Sequence, residues 1–166
     1  MGILGGSFDP AHIGHIKISN IARKKYSLNK IIWAITKKNP FKKKSSKSLK
    51  ERMDYAKKIN IKNKFIKVEF FESKINSNKT IDLINYLKKK NYKNIFFIIG
   101  ADNLVKFHKW HKWKEISSNC NILVFDRNGY KSKSLKSVAF KKFNKKGLEF
   151  INFKKVNISS SQLRKI

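Results

Sequence analysis

The chain has a single cysteine, two prolines and only ten acidic residues among 166. The lone thiol, Cys120, excludes an internal disulfide. The first residues lack the unbroken apolar run of a signal peptide, and no later stretch reaches the length of an uncharged membrane span. Together these absences predict a cytoplasmic protein with no membrane partner. The shortage of acid leaves forty Lys and Arg nearly unopposed, with a formal net charge of +30. An excess of that size suggests a phosphate-bearing partner, either a nucleic acid or small phosphorylated ligands. The lysines, however, are scattered along almost the whole chain beside many Asn and Ile, as in ITKKNPFKKKSSKSLK. That is the pattern of a compositionally biased coding sequence, and dispersed charge usually covers solvated faces. Composition therefore argues against a nucleic-acid partner and selects no function.

At 166 residues the chain is expected to form one domain, residues 1–166, being too short for two ordinary domains and a linker. Short apolar runs alternate with longer amphipathic stretches, which predicts an α/β fold with a mainly parallel sheet. Strands are expected at Met1–Leu4, Ile31–Ile35, Phe65–Phe70, Ile95–Ile99, Ile122–Phe125 and Glu149–Phe153. Helices are expected at Ile13–Lys24, Leu49–Lys57 and Ile81–Lys89, with a last one starting near Ser160. In TIDLINYLKKK the apolar face is formed by Ile81, Ile84 and Leu87, with Leu83 beside it. Lys37–Ser48, rich in Lys and Ser around Pro40, reads as a loop.

Parallel sheets gather ligands at the carboxyl ends of their strands, so the segments following the strands carry the chemistry. GGSFDPAHIGH follows the first. Gly5 and Gly6 put no Cβ in the way of a ligand phosphate, or else mark a plain tight turn. His12 and His15 lie three residues apart at the start of a helix, on one side and near its positive end, a place that favours anionic oxygens. The spacing also suits a metal pair, yet no third ligand is near and Gly14 between them suggests a close approach to the backbone. Phosphate chemistry is the stronger reading.

GGSFDPAHIGH resembles the opening signature of the nucleotidyltransferase superfamily, whose HxGH motif is matched by His12, Ile13, Gly14 and His15. Near the other end, Ile158 to Arg164 (ISSSQLR) resembles its ISSTxIR-like signature, with serine for threonine and leucine for isoleucine. GADNLVKFHKW and NKTIDLI are similar to segments of bacterial nicotinate-nucleotide adenylyltransferases. The resemblance runs through nearly the whole chain and is weakest over Lys131–Lys146. It implies a Rossmann-like nucleotidyltransferase fold with helices on both faces of the sheet. It places ATP against Gly5, Gly6, Ser7, Phe8, His12, His15, Gly100, Asp102, Ser159, Ser160, Ser161 and Arg164. Trp110 would stack on the acceptor's nicotinate ring, and backbone amides near Thr80 would hold its carboxylate. The family's PPHK-like element is replaced by Asn39-Pro40-Phe41-Lys42, which lacks the histidine and leaves Lys42 to reach a phosphate. Arg52 matches a family arginine at the start of the next helix, where a solvated helix charge is the alternative.

The implied reaction moves the adenylyl group of ATP to the 5′-phosphate of nicotinate mononucleotide, releasing pyrophosphate. His12, His15 and Arg164 are the implied catalytic residues. Magnesium is expected to ride on the triphosphate, with no metal site on the protein. Two rivals within the superfamily take nicotinamide mononucleotide or phosphopantetheine as acceptor. A third reading, from another class, is a basic RNA-binding protein on the same scaffold.

Overall fold

The computed structural model describes residues 1–38, 45–152 and Leu163. The backbone divides into two compact units, Met1–Asn76 and Ser77–Lys155.

In the first unit, strands β1 (Gly2–Gly6), β2 (Ile31–Ile35) and β3 (Ile66–Glu69) run parallel, with β2 in the middle; Leu4 pairs with Trp33 and Trp33 with Val68. Every residue of β2, IIWAI, is buried, as a strand covered on both faces requires. Helices α1 (Ile13–Lys25), α2 (Leu49–Ile59) and the single turn α3 (Glu72–Ile75) follow the strands in turn. Ser48 and Glu51 close a reciprocal capping box at the start of α2, which gives two helix-end amides acceptors. Basic residues end both long helices, Arg23, Lys24 and Lys25 in α1 and Lys57 and Lys58 in α2, where they complement the helix dipole.

The second unit repeats the plan. Strands β4 (Phe96–Gly100), β5 (Asn121–Phe125) and β6 (Leu148–Ile151) are parallel, with β5 in the middle. Helix α4 (Thr80–Lys89) buries Ile81, Ile84 and Leu87 and leaves Leu83 half-buried. The short helices α5 (Ala101–Lys106), α6 (Trp113–Asn119), α7 (Lys131–Leu135) and α8 (Val138–Phe143) complete it.

All six predicted strands are present, with ends moved by one or two residues. The change that matters is at β1, which continues through Gly5 and Gly6, paired with Ala34 and Ile35; the two glycines are strand, not turn. Helices α3 and α5 to α8 were not anticipated. Each has four to seven residues, too few turns to establish a 3.6-residue apolar period. Of the expected final helix near Ser160 only Leu163, which is helical, is described, and positions 39–44 of the expected loop lie outside the described residues. Among the described residues no helix is long and apolar enough to cross a membrane.

Cys120 is a buried free thiol that donates to the Ile116 carbonyl at 3.2 Å. Burial pushes its pKa up from 9.0 to about 12, because the thiolate is poorly solvated there. Two outcomes are expected. Iodoacetamide at pH 8 should leave Cys120 unmodified in the native protein and label it once denaturant unfolds the chain. Stability should also fall as pH rises from about 9 towards 12, where the unfolded chain releases the thiol proton and the native one holds it; denaturation midpoints across that range check the sign.

Candidate active site

Helix α1 starts on an unusual cap. His12 is its N-cap, in extended conformation, and its Nδ1 accepts from the Gly14 amide at 3.1 Å. The His12 amide in turn donates to Nδ1 of His15, also at 3.1 Å. Both imidazoles thus use Nδ1 as an acceptor, which assigns each neutral ring its proton on Nε2. The rings lie with centroids 3.9 Å apart. The pair is a double N–H donor at the positive end of a thirteen-residue helix, the polarity that suits phosphate oxygens.

The rings rest on the core. Phe8 is 2% exposed, stacks on Trp33 at 4.9 Å and 17°, and meets the His15 ring at 4.8 Å. Fully buried Trp33 donates Nε1–H to Ser19 Oγ, which donates to the His15 carbonyl, both at 2.9 Å. A Cβ on Gly6 would meet the Phe8 ring at 3.3 Å, so the open space at Gly6 is filled by this ring. Any ligand contact made by Phe8 falls to its backbone, because its side chain belongs to the core.

In the second unit, Asp102 lies in the first turn of α5, just after β4, and accepts from Arg127 Nη1 in the loop after β5. Its carboxylate folds over Gly100, where an added Cβ would come within 2.6 Å of Oδ1. Thr80 is the first residue of α4, whose N-terminus has no side-chain cap. Trp110 is half-buried against Phe107 (5.2 Å) and Phe97 (6.1 Å, edge-on), and its Nε1 is buried without a hydrogen-bond partner. Trp110 is therefore anchored on one side by the core, which the polar run FHKWHKW does not suggest. Lys42, Ser159, Ser160, Ser161 and Arg164 lie outside the described residues.

Sequence reasoning missed two residues beside these, Asp9 and Arg127, and left Arg52 open between a family match and a solvated helix charge. Arg52 is 2% exposed and donates to four backbone carbonyls; it is not a solvated helix charge. Asp9, 2% exposed, accepts from the amides of Ser46 (2.7 Å) and Lys47 (3.3 Å) and from Ser46 Oγ. Arg127 was passed over in DRNGY. The available signal was the residue type, an arginine where the chain otherwise uses lysine.

Gly100→Ala tests the carboxylate's seat. The new methyl group evicts Asp102 from its position, and the lost ion pair involves a side chain of Arg127 that is 38% exposed. Such pairs contribute about 1 kcal/mol or less. Urea denaturation should show a loss of that order, while the Asp102 carboxyl resonance moves clearly in NMR spectra.

A family model described as cytidylyltransferase-like matches residues 3–166. The "Probable nicotinate-nucleotide adenylyltransferase" of Pelagibacter ubique is 66% identical over the whole of this chain and 92% of its own length. A protein of the same name from Mesorhizobium japonicum is 33% identical over all of this chain and 94% of its own. Among solved structures, Plasmodium falciparum nicotinic acid mononucleotide adenylyltransferase complexed with NaAD matches 99% of this chain and 82% of its own. Its TM-score is 0.80 at 23% identity, a likeness of fold. The architecture is thus the Rossmann-like nucleotidyltransferase fold, and the chain belongs to the cytidylyltransferase-like family, among its nicotinate-nucleotide adenylyltransferases.

Proposed function

We infer that this enzyme transfers the adenylyl group of ATP to nicotinate mononucleotide, yielding nicotinate adenine dinucleotide and pyrophosphate. The observation that carries the reading is the reciprocal His12–His15 cap, which presents two Nε2–H donors at a helix N-terminus. The 66%-identical relative carries the same activity in its name, which supports the choice of acceptor. Taken with the family match over residues 3–166, the whole chain is read as one nucleotidyltransferase domain, working in the cytoplasm.

The acceptor's 5′-phosphate is an anion at neutral pH, so attack on the α-phosphorus needs no general base. The protein's task is to align two phosphate groups that repel and to neutralise charge building on the α-phosphate and the departing pyrophosphate. His12 and His15 donate to those oxygens. Arg164, with Ser159, Ser160 and Ser161, holds the β- and γ-phosphates, and Lys42 assists at the acceptor phosphate. Gly5 lets the backbone approach the nucleotide, with Ser7 and Gly6 beside it, the Cβ space of Gly6 being taken by the Phe8 ring. Asp102, beside Gly100, accepts from ribose hydroxyls, which requires Arg127 to share or yield the carboxylate. Trp110 offers a flat face to the pyridine ring, and the uncapped start of α4 at Thr80 offers amides to its carboxylate. Magnesium would be carried by the triphosphate rather than by a protein site and would supply charge neutralisation at the phosphates.

The test is pyrophosphate release from ATP and magnesium with nicotinate mononucleotide, its amide and phosphopantetheine compared. The acid should give the highest kcat/KM; three inert acceptors would remove the enzymatic reading, and a preferred rival would reassign the acceptor. His15→Ala should lower kcat by roughly a hundredfold, the worth of one preorganised donor to developing charge. Trp110→Ala should weaken the acceptor by about 1 to 3 kcal/mol, the worth of a ring stacked on an aromatic side chain, with the KM for ATP unchanged. Its thermal transition must be recorded alongside, since Phe97 and Phe107 lose a neighbour.

A further inference from the structure

We propose that Arg52 is a positioning residue for the histidine pair: its buried guanidinium ties the loop that leads into His12 and His15 to the segments after β2 and before α2. The proposal rests on the functional reading above and adds to it a residue that touches no substrate.

The geometry is specific. Nη1 donates to the carbonyls of Ser7 (2.6 Å) and Thr36 (2.8 Å), Nη2 to Lys37 (3.2 Å) and Nε to Lys47 (3.2 Å). Four bonds reach three separate chain segments, and every acceptor is backbone. Arginine has five N–H groups in one rigid plane; lysine has three on a point charge and cannot span the same carbonyls. With four donors engaged and 2% of the residue exposed, Arg52 has little left to offer a phosphate.

A buried cation needs compensation. Asp9 and Glu72 supply it: both raise the Arg52 pKa, against the larger lowering by burial. The same two acids hold the same segments. Asp9 accepts from Ser46 and Lys47, and Glu72 accepts from Thr36 Oγ1 and the Lys37 amide. The segments after β2 and before α2 are therefore each fixed twice, once through carbonyls and once through N–H or O–H groups.

The link to the site is short. Ser7, held by Arg52, precedes Phe8, whose backbone has φ 47° and whose ring seats His15. A non-glycine residue keeps that left-handed conformation only where its surroundings impose it. Arg52 on the Ser7 carbonyl and Asp9 on the other side of Phe8 impose it here. Releasing Ser7 lets Phe8 relax, and the imidazole it supports moves with it.

The experiment compares Arg52→Lys and Arg52→Ala with the unaltered enzyme. Nitrogen-15 spectra of the histidines, assigned through His12→Asn and His15→Asn, report whether the Nδ1-acceptor pattern persists. In folded Arg52→Lys the His12 and His15 signals should shift, and kcat should fall about ten- to a hundredfold, the range expected for a misplaced reacting group. Millimolar methylguanidinium should partly restore kcat in Arg52→Ala, and ammonium should not. Unmoved histidine signals with unchanged kcat would overturn the proposal. So would a rise in the KM for ATP alone, which would make Arg52 a ligand for phosphate. Absence of a cooperative thermal transition in both variants would also overturn it, leaving Arg52 a folding residue. If the unaltered protein releases no pyrophosphate, the functional reading fails by itself, because the histidine spectra still decide the positioning role.

Discussion

A helix begins with backbone amides that have no partner inside it, and α1 finds acceptors for its start in two imidazole nitrogens. Serine, threonine or aspartate would serve this end at least as well. Histidine does something they cannot: once Nδ1 is committed to the cap, the neutral ring is left with a proton on Nε2. Folding thus assigns the tautomer of both neutral rings. The same side chains serve local structure and chemistry, so a substitution here removes about 0.5 to 2 kcal/mol of capping along with the donor.

The cap sits on a small rigid base. Trp33 lies in the middle strand of its unit, and its indole reaches His15 by three routes: directly by ring contact at 5.8 Å, through Phe8 by ring contact, and through Ser19 by hydrogen bonds to the His15 carbonyl. Core packing is dense and responds to small changes of shape, so this arrangement transmits the position of β2 to the ring. Arg52 performs the corresponding task for the backbone of the loop. Side chains of the core and of the loop thereby determine where the two imidazoles are held.

Much of the fold was legible because the strands are nearly continuous apolar runs and α4 has a clear apolar period. The short helices were not, since one or two turns leave no period to read. His12 and His15 were legible as a pair, but their reciprocal cap was not: nothing in HIGH says which ring nitrogen faces the backbone. Phe8 was read as part of a ligand loop, yet its left-handed backbone turns the ring into the core. Trp110 shows the opposite limit. Its polar neighbours hid its contact with Phe97, because that ring comes from β4 and lies outside any local repeat, whereas Phe107 is three residues away.

Scarcity turns out to be the better guide to this chain. Lysine is its default cation, and three of its four arginines lie among the described residues. Arg23 lies over the Phe65 ring at 4.5 Å, Arg52 bridges four carbonyls and Arg127 meets Asp102. The bridge made by Arg52 depends on a flat group with several fixed N–H bonds. The acids follow the same logic. Asp9 and Glu72 flank Arg52, Glu51 closes a helix cap and Asp102 pairs with Arg127, whereas most lysines are exposed. A biased composition changes what an exposed surface carries at little cost in stability, because isolated surface charges contribute little. It cannot replace a planar fork or a buried counter-charge, and those positions retain the residue that the chemistry requires.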